Sequence, residues 1–351
     1  MERDRPVRIG LIGYGKGGRF FHAPLIVAAA GCELAGVVTR SAERRGEVGR
    51  DFPGTPVYED LPRLAGAGVV DAVAISTPVD THVPLVLQAV SLGLPVVCDK
   101  PFAPESSAAR QAVQAAERAG VPLTIYQNRR FDADLLTVRA VLDSGELGRV
   151  IRFESRIEQH APPGGIPSSG GGVLLDLGAH VVDQALLLFG PVGSVYAELD
   201  DAGGVPRRFF LALRHTNGLV SHLVGDLLLH GLPGTRFRVF GTGGSYDVDT
   251  FDGQADQLLA GGSPTASADA WGVVPRERWG RLHTGHSSKP WPSERGDWTV
   301  FYAAFADAVR QRGPVPVDPR DAVAGLVVLE AAQRSAQTGQ VIALTGTAVT
   351  T

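Results

Sequence analysis

The chain has 351 residues, room for two domains at the usual size of about 100–200 residues each. Hydrophobic residues make up 44% and charged residues 20%, a globular composition that excludes a disordered or fibrous chain. The 33 Lys and Arg against 37 Asp and Glu leave a net charge of −4. That balance argues against non-specific binding to nucleic acid or to an anionic membrane.

The N-terminus carries charges of both signs, and the apolar run after it is short and interrupted by glycines. It is not expected to be a signal peptide. No uninterrupted apolar run approaches the length of a membrane span, and a cytoplasmic protein is expected. Cys32 and Cys98 both adjoin predicted strands. They read as small buried residues rather than a disulfide or metal pair, and no Cys/His cluster has zinc spacing.

From the start of the chain, β-branched runs alternate with helical stretches. Residues 7–12 predict a strand, 15–30 a helix entered through glycines, and 33–39 a second strand. A helix follows over 41–50 with Ser41 as N-cap. Strands over 71–76, 94–98 and 121–126 alternate with helices over 80–92 and 104–119. Such alternation implies a parallel sheet covered on both faces. Beyond residue 127 the pattern changes. A helix over 131–144 precedes strands over 150–158, 195–199, 208–213, 220–228 and 236–240, separated by turns that suit antiparallel hairpins. Helices are predicted over 173–189, 298–311 and 319–338, and 261–294 reads as a long surface excursion. The fold class is therefore α/β: an N-terminal dinucleotide-binding domain over 1–127, and an α+β domain over 128–351 on an open, mostly antiparallel sheet.

Gly13-Tyr14-Gly15-Lys16-Gly17-Gly18 matches G-x-G-x-x-G between a strand and a helix. The first glycine permits the tight turn, the second lets the backbone approach a pyrophosphate, and the third lets helix and strand pack closely. The helix N-terminus adds amide donors and a positive dipole. At the end of the second strand, where an acid would bind a free ribose 2′-hydroxyl, the chain has Arg40. A guanidinium can grip a 2′-phosphate, and Lys16 adds charge. NADP(H) is therefore the preferred cofactor, with NAD(H) as the alternative. Ser76-Thr77-Pro78 follows another strand, and Thr77 is placed to line the nicotinamide ribose. His82 is either a further cofactor contact or a first-turn helix residue with no chemical role.

Only three of the basic residues are lysines: Lys16, Lys100 and Lys289. In a chain biased toward arginine, a retained lysine is a candidate for chemistry that needs one. Lys100, in Asp99-Lys100-Pro101 after a strand, is placed to donate to a substrate oxygen or move its proton. Pro101 stiffens that turn and is open to a cis bond. Asp176 and His180 are four residues apart on one predicted helical face, with Asp183 continuing it. Gly170, Gly171 and Gly172 precede them. A histidine titrates near neutrality, as the base of an alcohol oxidation must.

The Gly13–Gly18 loop, Phe21-His-Ala-Pro24, Thr77-Pro78, Asp99-Lys-Pro101, Tyr126-Gln-Asn-Arg-Arg-Phe131 and Asp176 with His180 together resemble the glucose–fructose oxidoreductase/inositol dehydrogenase (Gfo/Idh/MocA) family over nearly the whole chain. The branch most similar contains NADP-dependent scyllo-inositol dehydrogenases. The resemblance implies that Lys100, Asp176 and His180 form the catalytic set. It adds Asp99 and Asn128 to the cofactor contacts, and implies a sheet packed on a second subunit in a homodimer or homotetramer. Two departures stand out. Asp99 occupies a position where the family more often has Glu, and the loop 159–172 is short and rich in Gly, Pro and Ser. Arg129, Arg156 and His160 are candidate substrate contacts in its place. The expected activity is hydride transfer between NADP(H) and a hydroxyl or keto carbon of a cyclitol, polyol or sugar. A ketoreductase of an unusual sugar or natural product is the nearest alternative. A non-catalytic dinucleotide sensor is disfavoured by the presence of Lys100, Asp176 and His180.

Overall fold

A computed structural model describes residues 5–161, 171–200 and 205–344. The first sheet contains β1 (Val7–Ile12), β2 (Cys32–Val38), β3 (Val57–Tyr58), β4 (Ala72–Ile75), β5 (Val96–Cys98) and β6 (Leu123–Ile125). All pairings are parallel, and the spatial order is β3-β2-β1-β4-β5-β6. That is the Rossmann order, which reverses direction between β1 and β4 and opens a crevice at their carboxyl ends. Strands such as Ala72–Ile75 are buried throughout because helices cover both faces.

The helix expected over 15–30 differs in form. Gly17–His22 winds as a π-helix and passes into an α-helix over Ala23–Ala28. Pro24 has no amide to return to the preceding turn. The Ala23 amide instead reaches the Gly18 carbonyl, five residues back. The wider turn carries Phe21 and His22 inward.

The second sheet holds β7 (Val150–Glu158), β8 (Val192–Asp200), β9 (Arg208–His215), β10 (Val220–Asp226), β11 (Phe237–Gly241), β12 (Ser245–Val248), β13 (Arg281–Thr284), β14 (Ser287–Pro290) and β15 (Ile342–Ala343). The order is β14-β13-β12-β11-β7-β10-β9-β8-β15, and only β7 with β10 is parallel. The β13–β14 hairpin lies inside 261–294, so that excursion supplies the sheet edge. The helix expected over 173–189 is interrupted: Gly172–Asp176 and Gly178–Phe189 meet at Leu177. The run Gly172–Phe189 is apolar and long enough to cross a membrane, but most of it is buried in the fold. It is the helical layer packed on the second sheet.

The chain's end returns to the first sheet. Trp298, Phe301, Tyr302 and Phe305, in and beside the helix Thr299–Val309, pack with Val7, Ile9 and Leu11 of β1. The helix Pro319–Thr338 serves both cores: Ala322, Val323 and Leu326 join the opposite face of the first sheet, while Val328, Leu329, Ala331 and Ala332 join the second. Glu330 accepts from Ser106 N at 2.5 Å and Ser106 Oγ at 2.8 Å, capping the helix Ser106–Ala119 from outside.

Candidate active site

The crevice forms where the glycine loop meets the ends of β4 and β5. Gly13 has φ +97°, and a Cβ there would lie 2.1 Å from the Ser76 carbonyl oxygen. A Cβ on Gly18 would lie 2.1 Å from the Gly13 carbonyl oxygen. Gly15 is different: its missing Cβ would meet only the Arg44 guanidinium, at 3.8 Å. The first and third glycines are filled by protein, while the second keeps open space beside a cation. A pyrophosphate needs that arrangement, and the residues fit a dinucleotide.

Arg40 is exposed just past β2, with Nε 3.4 Å from the Glu59 carbonyl oxygen. Ser41 caps the next helix by accepting from Arg44 N at 3.3 Å. Arg44 therefore stands over the glycine loop. It escaped the sequence reading because nothing in its local pattern reveals that approach.

A cleft of about 440 Å³ continues from this loop. Lys16, Gly17, Asp99, Lys100, Asn128 and Arg129 line one side, and Asp176 and His180 lie across it with Phe251 and Trp298. Lys100, which precedes a cis peptide bond to Pro101, donates to the Asp176 carboxylate and, at 3.1 Å, to the Asp176 carbonyl oxygen. The Lys100 charge holds the Asp176 carboxyl below its usual range against the opposing effect of burial.

His180 is 6% exposed. Burial pushes its basicity well down, and the cations Lys100, Arg129 and Arg236 push in the same direction. Its Nδ1 is buried without a partner among the described residues. The helix predicted to carry both residues is interrupted at Leu177, between Asp176 and His180, and Asp176 pairs with Lys100.

A buried polar network supports this wall. Arg236, 2% exposed, donates to Asp134 at 3.0 Å, Ser155 at 2.8 Å and Gln184 at 2.9 Å. Gln184 lies one helical turn beyond His180 and donates to the Arg129 carbonyl oxygen at 3.4 Å. Arg129 donates to Asp132 at 3.0 Å and stacks over Phe251.

Several expected contacts lie elsewhere. His82 is buried, its ring nitrogens 2.9 Å from the Pro101 carbonyl oxygen and 2.8 Å from that of Thr77. It ties two crevice loops together from behind rather than facing the cleft. Ser76 Oγ donates to Asp99 at 2.8 Å, and Thr77 Oγ1 lies 2.6 Å from Thr81 Oγ1. Pro78 is exposed. Tyr14 is turned away, its hydroxyl donating to Asp51 at 2.9 Å. Asp183 is buried against Arg130 at 2.5 Å, outside the cleft. Exposed His160 stacks on His230 with ring centroids 4.0 Å apart, and Arg156 pairs with Glu158 at 3.6 Å. Neither lines the cleft, because alternation along β7 turns Arg156 to the opposite face from Ile157. Most of the loop 159–172, including Gly170, lies outside the described residues.

A family model described as an oxidoreductase family with an NAD-binding Rossmann fold matches residues 7–127, and the GFO/IDH/MocA C-terminal domain model matches 135–247. The chain is 28% identical to scyllo-inositol 2-dehydrogenase (NADP(+)) IolW of Bacillus subtilis, covering 96% of each chain. It is 33% identical to the oxidoreductase YdgJ of Escherichia coli, over 94% of this chain and 96% of that one. A crystal structure of an oxidoreductase from Klebsiella pneumoniae superposes with a TM-score of 0.89 at 34% identity, covering 98% of this chain and 96% of that one.

Proposed function

The chain belongs to the Gfo/Idh/MocA family of NAD(P)-dependent oxidoreductases, and from that premise we propose that it transfers hydride between NADP(H) and a CH–OH or keto carbon of a cyclitol, polyol or sugar. The observation carrying this reading is the meeting of Lys100, Asp176 and uncharged His180 in one cleft at the carboxyl ends of Rossmann strands. A bound nicotinamide supplies the hydride acceptor or donor. In oxidation, His180 takes the hydroxyl proton. His180 lines the cleft, where a substrate hydroxyl would lie. Lys100 donates a hydrogen bond to the same oxygen and stabilises negative charge developing there. Asp176 holds the ammonium in place and offers an acceptor to a neighbouring hydroxyl. In reduction, the Lys100 ammonium donates to the keto oxygen and supplies the one proton that the alkoxide takes up.

The name of the B. subtilis relative supports both the cofactor and the substrate class. Arg44 beside the glycine loop and exposed Arg40 past the end of β2, where no acid stands, support the 2′-phosphate. Several hydrogen-bonding groups beside the apolar surfaces of Phe251 and Trp298 suit a polyhydroxylated ring. A turnover screen with NADP and NADPH over inositols, inososes, hexoses and their keto forms tests the reading. Turnover confined to substrates without vicinal hydroxyls would overturn the polyol assignment.

We also propose that the free face of the second sheet forms a homodimer or homotetramer. There Phe210, Ala212, Val220 and Val224 remain only half-buried. Light scattering at micromolar concentration should give at least twice the 36.9 kDa of one chain.

A further inference from the structure

His22 is a residue whose surroundings exceed what packing requires. It is fully buried and in contact with Tyr126, Tyr302 and Asp99. Nδ1 lies 2.6 Å from the Tyr302 hydroxyl, and the ring stacks on Tyr126 with centroids 4.2 Å apart. Nε2 lies 3.2 Å from Asp99 Oδ2, but without the alignment of a hydrogen bond. The contact is thus mainly electrostatic. Tyr126 donates to the Phe21 carbonyl oxygen at 2.8 Å, fixing the turn that carries His22.

Asp99 is the other half of the arrangement. Its Oδ1 accepts from Lys100 N at 2.8 Å, and its Oδ2 accepts from Ser76 Oγ at 2.8 Å. A Cβ on Gly17 would lie 3.0 Å from Oδ2. One carboxylate therefore ties the turn after β4 to the turn carrying Lys100 and lies against the glycine loop. It lines the cleft itself.

We propose that His22 is a positioning residue: it holds the Asp99 carboxylate in place and so fixes the Lys100 turn and the nicotinamide end of the dinucleotide site. Burial favours protonation of Asp99, and His22, His82 and Lys100 together outweigh it and pull the carboxyl below its usual range. The hydroxyls of Tyr126 and Tyr302 also face this charge. Loss of His22 frees Asp99 to titrate higher and to rotate, which loosens three loops together. This inference rests on the hydride-transfer reading only for the role of Lys100.

The test compares two ligands of the intact protein. NADPH spans the whole dinucleotide site, whereas 2′,5′-ADP occupies only its adenosine end. His22→Leu is expected to weaken NADPH by about tenfold or more, the scale for a misplaced supporting group. It should leave 2′,5′-ADP affinity within about twofold. His22→Gln, which keeps a polar group beside Asp99 but carries no charge, should restore only part of the loss. Tyr302→Phe should show the same selective loss in smaller measure, and it decides the matter if His22→Leu does not fold. Equal affinities for both ligands in wild type and Tyr302→Phe, or parallel loss of both in His22→Leu, would overturn the proposal. If wild type prefers NADH, the comparison runs with NADH and ADP-ribose. A wild type that binds none of these cofactors would overturn the hydride-transfer reading instead.

Discussion

Lys100 and His180 face one another's surroundings across the cleft, but they are held there by different means. Lys100 stands at the end of β5, on a turn fixed by Asp99, Ser76 and the glycine loop. His180 sits on a helix that breaks one turn earlier and is tied from behind through Gln184 and Arg236. The first wall depends on backbone close approach, so few residue types satisfy it. The second depends on a buried charge network, so its failure would come from an uncompensated ion rather than a clash.

This contrast can be broken at several points. The largest effect is expected at Lys100: Lys100→Met should cut kcat by about 10²–10⁴, the scale for a positioned acid–base group. Lys100→Arg should not rescue, since a guanidinium keeps its proton. Combined with His180→Asn, the loss should fall well short of the product of the two single losses, because in the proposed mechanism both serve one oxygen. Fully multiplicative losses would show that the walls act independently.

Next in size is Arg236→Met, which strands Asp134 in the core. Urea unfolding should show a loss of about 3–5 kcal/mol. Unchanged stability would mean that Asp134 simply takes up a proton and that the second wall does not depend on its charge network.

At the adenosine end, wild type should bind NADP at least about tenfold tighter than NAD, or roughly 1.4 kcal/mol. Arg40→Asp should abolish or reverse that preference in direct binding measurements. Equal affinities in wild type would remove the argument from Arg40, Arg44 and Lys16.

The smallest effect is a pH dependence. His180 is held uncharged in the fold, with its affinity for protons lowered by burial. The unfolded chain therefore binds more protons below the ordinary histidine value of about 6.5. Stability should fall as pH drops through that region and level off only below the folded value. His180→Asn should flatten this slope, as followed by melting between about pH 5 and 8. A slope that persists unchanged would assign it to other groups.

The two walls were also unequally legible in the sequence. Gly13, Gly15, Gly18 and Lys100 could be read because strand, turn and helix signals surround them within a few residues. His22 could be seen only as part of a short stretch. Its partners Asp99 and Tyr302 lie far along the chain, the second 280 residues away. Arg236 gave no signal, since its partner Asp134 is 102 residues away and a lone arginine at a strand's start reads as solvated charge. Asp176 and His180 both line the cleft, but spacing by helical periodicity assumed an unbroken helix. The break at Leu177 and the pull of Lys100 changed which pair formed. His82 and His160 show the reverse error: a histidine near a crevice loop or on a substrate-side strand is as readily a brace or a surface stack.

The covering of the first sheet by residues 298–326 has a consequence for the order of synthesis. The ribosome makes β1 to β6 first, but Trp298, Phe301 and Tyr302 belong to the layer that seals β1, and Ala322, Val323 and Leu326 to the layer on the opposite face. At about 5–20 residues per second, those covering residues emerge roughly nine to forty seconds after residue 127. During that interval the nascent N-terminal sheet presents uncovered aliphatic surface, and it can complete its cores only after the second sheet has been made. A released N-terminal fragment ending near residue 127 would keep that surface permanently. It should recruit chaperones or aggregate, where the full-length chain buries the same strands under its own tail.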